Sequence, residues 1–358
     1  MYIDPHVHDR DKEQRDKETV AHVLSVAYLA GVDAICTMPN TQRPITTRER
    51  VLERFALAQE AQKVSPVFYG LYVGLTSNPD QIARAVELTR EFKPTHERRY
   101  AVVGLKNYVG KSVGDLANIT EESQRIIARE LVRRGYKGVE AFHCEEESLM
   151  RPELWDPTKP ITHCLARPPE AEIESVKDQI LFAEQAGFRG TIHICHVSTS
   201  EAVKFIQDIK TNRPSAGEYS SSFEITCGVT PHHLFYCNEM MNQPNGLFWK
   251  VNPPLRDKQI QEKLLQQAKE GKIDCIETDH APHTSSEKLN FPYMSGIPGI
   301  DRWPDIAERL AQEKFSQKQI EDLTFNNAAR RFSLEGIVTK SPGPGLRKIG
   351  AYITSPYY

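Results

Sequence analysis

The sequence lacks the features that mark membrane, secreted or nucleic-acid-binding proteins. No apolar run approaches the roughly 18 residues that cross a bilayer, and the chain opens with Met-Tyr-Ile-Asp-Pro-His instead of the basic and apolar stretches of a signal peptide. Its 45 Lys and Arg residues against 48 Asp and Glu residues give a net charge of −3, which argues against a nucleic-acid partner. The seven cysteines are scattered without a CxxC pair, as expected of reduced thiols in the cytoplasm.

Short apolar runs alternate with longer amphipathic stretches along the chain. The runs predict eight strands, namely Tyr2–His8, Ala34–Pro39, Val67–Val73, Tyr100–Tyr108, Gly138–His143, Thr191–His196, Phe223–Val229 and Asp274–Thr278. The stretches between them predict helices, for example Glu18–Ala30, Arg48–Gln62, Asp80–Phe92, Glu121–Arg134 and Glu170–Ala186. No GxGxxG follows the first strand, which disfavours an open doubly wound sheet. We therefore predict an α/β fold, a (β/α)8 TIM-type barrel over residues 1–335, with a short C-terminal appendage over residues 336–358.

Polar side chains cluster at the carboxyl ends of the predicted strands, where barrels of this type carry their active sites. His6 and His8 are two residues apart on the first strand, so they point to the same face. His143, His196 and Asp279 end the fifth, sixth and eighth strands. Four imidazoles and a carboxylate at one barrel mouth predict a site for a divalent metal such as zinc. Taken alone, His6 and His8 also fit a polar pair without a metal.

Two basic residues lie among these candidates. Lys106 ends the fourth strand inside an apolar run, and its amine would repel metal ions unless carbon dioxide converted it to an anionic carbamate. The alternative is a surface lysine whose stem lies along apolar side chains. Arg10 follows His8 by two positions, so it can face the same site and bind a substrate carboxylate through two hydrogen bonds. A surface salt bridge is the alternative for Arg10.

Eight short motifs follow one another along the chain. They are His6-Val-His8-Asp-Arg10, Met38-Pro-Asn40-Thr, Gly104-Leu-Lys106, His143-Cys-Glu, His193-Ile-Cys-His196-Val-Ser, Thr230-Pro-His-His-Leu-Phe, Val251-Asn-Pro-Pro-Leu-Arg256 and Thr278-Asp-His-Ala-Pro-His283. Together they resemble the dihydroorotases of the amidohydrolase superfamily, closest to the class I branch. The resemblance runs from Ile3 to about Arg331. Many relatives carry an accessory β-sandwich, which we expect to be absent or reduced here because the first predicted strand starts close to Met1.

The resemblance implies a binuclear zinc centre bridged by a carboxylated lysine and a hydroxide. The implied ligands are His6, His8 and Asp279 for the more buried ion, His143 and His196 for the more exposed ion, and carboxylated Lys106 for both. Asp279 would also move a proton between the attacking water and the leaving amide nitrogen. The implied reaction is the reversible cyclisation of N-carbamoyl-L-aspartate to L-dihydroorotate in de novo pyrimidine biosynthesis.

Substrate binding is also implied by the resemblance. Arg10, Asn40 and His283 would bind the substrate carboxylate, and Asn252 would line the pyrimidine edge. Ser112 matches a hydroxyl position of a family lid in the loop after the fourth strand. Beyond this small-molecule substrate, we expect a homodimer and an association with aspartate carbamoyltransferase, and neither nucleic acid nor a membrane as a partner.

Two positions depart from the family pattern, and two other functions stay open. Asp9 stands between His8 and Arg10, where relatives usually have an apolar residue. Relatives often carry a glutamate five residues before the second histidine of the His232-His233 pair, where this chain has Gly228. A hydantoinase or allantoinase would use the same chemistry on a ring that lacks the carboxylate, and would have no need of Arg10. A catalytically silent relative would only scaffold a pyrimidine-pathway partner, and the intact set of candidate ligands argues against it.

Overall fold

Eight parallel strands form the centre of the molecule. The computed structural model describes residues 1–111, 116–212, 223–340, 343–347 and 349–357, and in this part of the chain the strands lie side by side in chain order. They are β1 (Ile3–Val7), β2 (Ala34–Thr37), β3 (Phe68–Gly74), β4 (Tyr100–Tyr108), β5 (Val139–His143), β6 (Thr191–Ile194), β7 (Glu224–Val229) and β8 (Cys275–Ile276). A parallel bridge between Val7 and His280 brings the end of the sheet back to β1. The predicted barrel is confirmed, and the expectation about an accessory sandwich stays a prediction.

Helices lie between the strands. They are α1 (Val20–Leu29), α2 (Arg48–Ala61), α3 (Pro79–Glu91), α4 (Glu121–Arg133), α5 (Thr162–Ala166), α6 (Pro169–Ala186), α7 (Ser200–Asn212), α8 (Pro231–Phe235), α9 (Lys258–Lys269), α10 (Ser285–Leu289), α11 (Trp303–Gln312), α12 (Gln317–Glu321) and α13 (Asn327–Arg331). Polar side chains such as Thr19, Thr47 and Asn78 start several of them by accepting hydrogen bonds from main-chain N–H groups of the first turn. Among the described residues, no helix has the length and apolar character needed to cross a membrane.

The apolar residues form two layers around the strands. Inside the barrel, Cys36, Tyr72, Ala141 and Cys195 belong to one cluster of buried residues, and Phe332 packs edge-on against Tyr72. Outside it, a larger cluster joins the outward faces of the strands to the surrounding helices. This double packing holds the strand ends rigidly, which is what a site built from residues of several strands requires.

The site candidates His196, Asp279 and Arg10 lie beyond strand ends, and of these three the sequence placed only His196 inside a strand. β6 ends at Ile194 and β8 at Ile276, so His196 and Asp279 follow the strands instead of ending them. Their main chains adopt the left-handed region, with φ of 39° at His196 and 46° at Asp279, and Arg10 does the same with φ of 49°. Residues other than glycine rarely adopt this region and concentrate at functional sites when they do. The main-chain conformation of these turns, more than the alternation of side chains along the strands, therefore directs these side chains into the site.

The C-terminal residues pack onto the barrel. The Leu346 N–H donates to the carbonyl oxygen of Leu29 at 2.7 Å, and the Tyr352 hydroxyl donates to the buried Glu18 carboxylate at 2.6 Å. The Tyr357 ring lies edge-on to Trp249, with 5.5 Å between ring centroids. The division of the chain at residue 335 stays a prediction.

Candidate metal centre and active site

A cavity of about 290 Å³ lies at the carboxyl ends of the strands. Eight of the ten residues singled out from the sequence line it: His6, His8, Arg10, Asn40, His143, His196, Asn252 and Asp279. The other two, Lys106 and His283, are buried beside it. Ser112 lies outside the described residues. The cavity therefore gathers the metal-ligand candidates and the candidate substrate-binding residues around one space.

His6, His8 and Asp279 form the tightest group of candidate ligands. One carboxylate oxygen of Asp279, Oδ1, lies 3.0 Å from Nε2 of His8 and 3.3 Å from Nε2 of His6. All three residues are buried, and their donor atoms lie within 4.8 Å of one another. Two imidazole nitrogens and one carboxylate oxygen at this spacing form half or more of the coordination shell of a divalent metal.

His143 and His196 form a second pair beside the first group. Nδ1 of His143 lies 3.1 Å from Nε2 of His196, and the ring centroid of His196 is 5.0 Å from that of His6. On its other side, Nε2 of His143 lies 3.0 Å from the carboxylate of Glu145, which Arg167 also binds. Glu145 therefore orients the His143 ring, as carboxylates commonly orient metal-binding histidines.

Lys106 is fully buried between the two groups of histidines and the barrel interior. Its amine donates to Sγ of Cys195 at 3.0 Å and lies 5.1 Å from the centre of the Tyr108 ring. The alternative of a surface lysine is therefore wrong. Its charge acts on both groups, because it lowers the pKa of His6, His8 and His196 in addition to the larger effect of burial.

Burial sets the protonation of these residues. It holds the pKa of His6, His8 and His196 well below the ordinary value, so their rings are neutral at pH 7. It also raises the pKa of Asp279 to about 7, against the opposing charges of His143, Lys106 and Arg10. Neutral imidazole is the form that binds metal, so burial keeps these three histidines in the form that a metal ligand needs.

Arg10 supplies positive charge to the cavity wall. It is 3% exposed, so a surface salt bridge does not describe it. Its Nη2 lies 3.2 Å from Nε2 of His283, whose Nδ1 is 3.5 Å from the Glu287 carboxylate. His283 thus lies behind Arg10, while Asn40 and Asn252 line the cavity with it. The Asn252 side-chain oxygen is 2.9 Å from Nε2 of His163, which fixes the orientation of this amide.

The sequence analysis assigned no role to three residues that the structure places near the site. Glu145 lies two positions after His143, and that same-face spacing at a strand end was a usable signal. Lys250 lines the cavity and donates to the Tyr293 carbonyl at 2.7 Å and to the Ser295 hydroxyl at 2.8 Å. Glu277 lies beneath the cavity against His6, His193 and the main chain of His196. No local pattern marks Glu277, because its partners come from other strands.

The residues present fit a metal centre. Nδ1 of His6 and Nδ1 of His196 are buried and have no hydrogen-bond partner among the described residues. A buried nitrogen without a hydrogen-bond partner destabilises the folded protein unless a ligand binds that nitrogen or its ring. The donors are imidazoles and carboxylates, which are the ligands that zinc and similar divalent ions take in proteins.

Comparison of the sequence with known proteins finds dihydroorotases. The chain is 31% identical over 344 residues to the dihydroorotase of Listeria welshimeri, which covers 93% of this chain and 72% of that protein. It is 30% identical over 344 residues to the enzyme of Fusobacterium nucleatum, with the same coverage, and 29% identical over 347 residues to that of Brevibacillus brevis. No protein-family model matches the chain.

Comparison of the structure finds the same barrel. The L-hydantoinase of Arthrobacter aurescens superimposes with a TM-score of 0.79 over 96% of this chain and 73% of that one, at 20% identity. The dihydroorotase of Saccharomyces cerevisiae, solved with 5-fluoroorotic acid, superimposes with a TM-score of 0.71 over 94% of this chain and 85% of that one, at 19% identity. These likenesses establish the fold, and the sequence relatives establish the family. The chain belongs to the dihydroorotase family.

Proposed function

We propose that this protein catalyses the reversible, metal-dependent cyclisation of N-carbamoyl-L-aspartate to L-dihydroorotate. The observation that carries the proposal is one cavity that holds both the His6, His8 and Asp279 cluster and the buried guanidinium of Arg10. The cluster fits the hydrolysis of an amide bond, and the arginine fits a substrate that carries a carboxylate.

The two groups of histidines would hold two divalent ions. His6, His8 and Asp279 would bind one and His143 and His196 the other, with Zn²⁺ favoured by the mixture of imidazole and carboxylate. Bound there, the ions would supply Lewis acidity that lowers the pKa of a water molecule and polarises the carbonyl group under attack.

Lys106 would complete this centre as a carbamate. Its uncharged amine would add to carbon dioxide, with loss of one proton, and so turn a buried cation into an anion. The position supports this reaction, because an ammonium group enclosed with His6, His8 and His196 opposes the binding of any cation there. The resulting carboxylate would bridge the two groups of histidines.

Asp279 would move the proton. In the hydrolytic direction, its carboxylate would accept a proton as the water oxygen bonds to the ring carbonyl carbon. It would then donate that proton to the ring nitrogen as the carbon–nitrogen bond breaks. In the biosynthetic direction the ureido nitrogen would attack the carboxyl carbon and give up one proton to Asp279, and the carboxyl oxygen would leave as water with that proton and a second one from solution.

Arg10 would select the substrate. Its guanidinium would bind the ring carboxylate, with Asn40 beside it, while His283, which lies next to Glu287, contacts the guanidinium from behind. Asn252 would contact the polar edge of the ring. A hydantoin or allantoin ring offers no carboxylate to this arginine, so these substrates are the less favoured alternative.

A substrate comparison tests the proposal. Metal-loaded protein is assayed with L-dihydroorotate, with a 5-substituted hydantoin and with allantoin. The expected result is hydrolysis of dihydroorotate with a kcat/KM at least about tenfold above that for either other ring. A preference for hydantoin or allantoin would assign the alternative function, and loaded protein inactive on all three would favour a scaffold. The homodimer, the association with aspartate carbamoyltransferase and the cytoplasmic location stay predictions.

A further inference from the structure

Glu277 is a buried carboxylate beneath the candidate metal centre that the proposed chemistry does not use. It is fully buried, and it follows β8 directly. Its Oε1 accepts a hydrogen bond from the main-chain N–H of His196. Its Oε2 lies 3.3 Å from Nε2 of His193 and 3.8 Å from Nδ1 of His6. One side chain therefore contacts a candidate ligand from each of the two metal-binding groups.

The space for this carboxylate exists because residue 228 is glycine. Gly228 lies on β7 opposite Cys275 of β8. A Cβ atom on Gly228 would lie 2.6 Å from Cδ of Glu277 and 2.8 Å from each of its carboxylate oxygens. No larger residue fits position 228 while Glu277 stays in place. A glutamate at residue 228 would therefore start close enough to bring its own carboxylate to the place that Glu277 fills.

The contact with His196 has a specific consequence for the geometry of the site. The main chain of His196 adopts φ of 39°, which an L-residue keeps only when its surroundings hold it. Glu277 binds the N–H of this same residue, so it holds the turn that points the His196 ring at His143. On the other side, the Glu277 carboxylate faces the His6 ring at 3.8 Å from Nδ1, which has no hydrogen-bond partner among the described residues, while Asp279 lies 3.3 Å from Nε2.

We propose that Glu277, in the space left open by Gly228, is the positioning residue that sets the relative placement of the two metal-binding groups. It holds the main chain of His196 by a hydrogen bond and places its negative charge 3.8 Å from Nδ1 of His6, and it lies beneath the cavity, away from the substrate. This inference rests on the proposed function for its kinetic readout. The measurement of zinc affinity tests the inference whichever ring the enzyme opens.

The test exchanges the carboxylate between the two strands. Glu277→Ala removes it, and the double variant Glu277→Ala/Gly228→Glu moves it to β7. Zinc affinity is measured by competition with a chromophoric chelator, and kcat and KM with dihydroorotate. We expect Glu277→Ala to lose about 10- to 100-fold in zinc affinity and in kcat, with KM changed less than threefold because Arg10 is untouched. We expect the double variant to recover at least tenfold of each loss.

Glu140→Gln is the matched control. Glu140 is also a buried carboxylate on a barrel strand, but it pairs with the side-chain amide of Asn107 at 3.1 Å. The control is expected to keep wild-type zinc affinity and kcat. Glu277→Ala with wild-type zinc affinity and kcat would overturn the proposal, as would a double variant no better than Glu277→Ala.

If the double variant Glu277→Ala/Gly228→Glu does not fold, a further variant, Glu277→Gln, tests the positioning role. Glu277→Gln keeps an oxygen for the His196 N–H and nearly the same volume, so its zinc affinity is expected to lie at least fivefold above that of Glu277→Ala. Equal affinities would contradict the positioning role. If the wild-type protein binds two zinc ions but does not open dihydroorotate, the proposed function fails, while the affinities still test Glu277.

Discussion

Oδ1 of Asp279 lies 3.0 Å from Nε2 of His8, although 271 positions separate the two residues along the chain. The contact crosses the seam of the barrel, beside a main-chain hydrogen bond of 2.7 Å from the His8 N–H to the His280 carbonyl. β1 and the residues that directly follow β1 and β8 supply this part of the ligand set. The candidate metal centre therefore forms only when the barrel closes.

Asp279→Asn tests the proposed proton carrier. The amide keeps an oxygen near His6 and His8 but cannot accept a proton, so we expect zinc to remain bound while kcat falls about 10²- to 10⁴-fold. Metal analysis and steady-state kinetics check both parts. Asp16→Asn, at an exposed position, is the control and is expected to be unchanged. A kcat within twofold of wild type for Asp279→Asn would remove this residue from the proton path.

Arg10→Lys tests carboxylate recognition. Lysine keeps the charge but not the planar pair of donors, so we expect KM for dihydroorotate to rise about 10- to 100-fold with a smaller change in kcat. Arg15→Lys is the control, because Arg15 is exposed. An unchanged KM in Arg10→Lys would mean that another group binds the carboxylate.

Glu140→Gln is expected to change how stability depends on pH. Burial raises the pKa of Glu140 from 4.5 to about 8, so the folded protein keeps a proton that the unfolded chain has already released. Stability therefore falls as pH rises from about 4.5 to about 8, by at most about 1.4 kcal/mol per pH unit, and this contribution levels off above that. Denaturant unfolding between pH 5 and pH 9 should show a shallower decline for the glutamine variant. Parallel curves for the two proteins would contradict the expected titration.

Tyr352→Phe tests whether the C-terminal residues stabilise the barrel. The hydroxyl donates to the buried carboxylate of Glu18 at 2.6 Å, and its loss leaves that oxygen without this donor. We expect the free energy of unfolding to fall by about 1–3 kcal/mol, measured by urea denaturation. Ile353→Ala, at a side chain that is 92% exposed, should leave it unchanged. Equal stabilities for wild type and Tyr352→Phe would show that the contact is not stabilising.

The strand ends were the most predictable part of the site. Hydrophobic periodicity located β5 and β6 well enough to place His143 and His196 together, because the carboxyl ends of parallel strands meet at one side of a barrel. Arg10 reaches the cavity for a different reason from the one predicted. It lies beyond β1 in a left-handed turn, so strand alternation does not aim its side chain.

Contacts between distant strands were not predictable from the sequence. His283 matches a family position for binding substrate, yet it lies behind Arg10, which depends on how the loop after β8 folds. The relation between Glu277 and Gly228 depends on the register between β7 and β8 and on a side chain crossing from one to the other. In the sequence alone, neither Glu277 nor Gly228 indicates a role in the site, because that role depends on the contact between the two residues.

Hydrolysis of L-dihydroorotate by the zinc-loaded protein in bicarbonate buffer, with Lys106→Ala alongside, tests the account most directly. The account predicts turnover by the wild-type protein with about two zinc ions per chain, and loss of both turnover and tight zinc binding in the variant. Turnover and zinc content that are the same in both proteins would contradict a centre bridged by Lys106. A wild-type protein that holds two zinc ions and leaves dihydroorotate intact would contradict the proposed function.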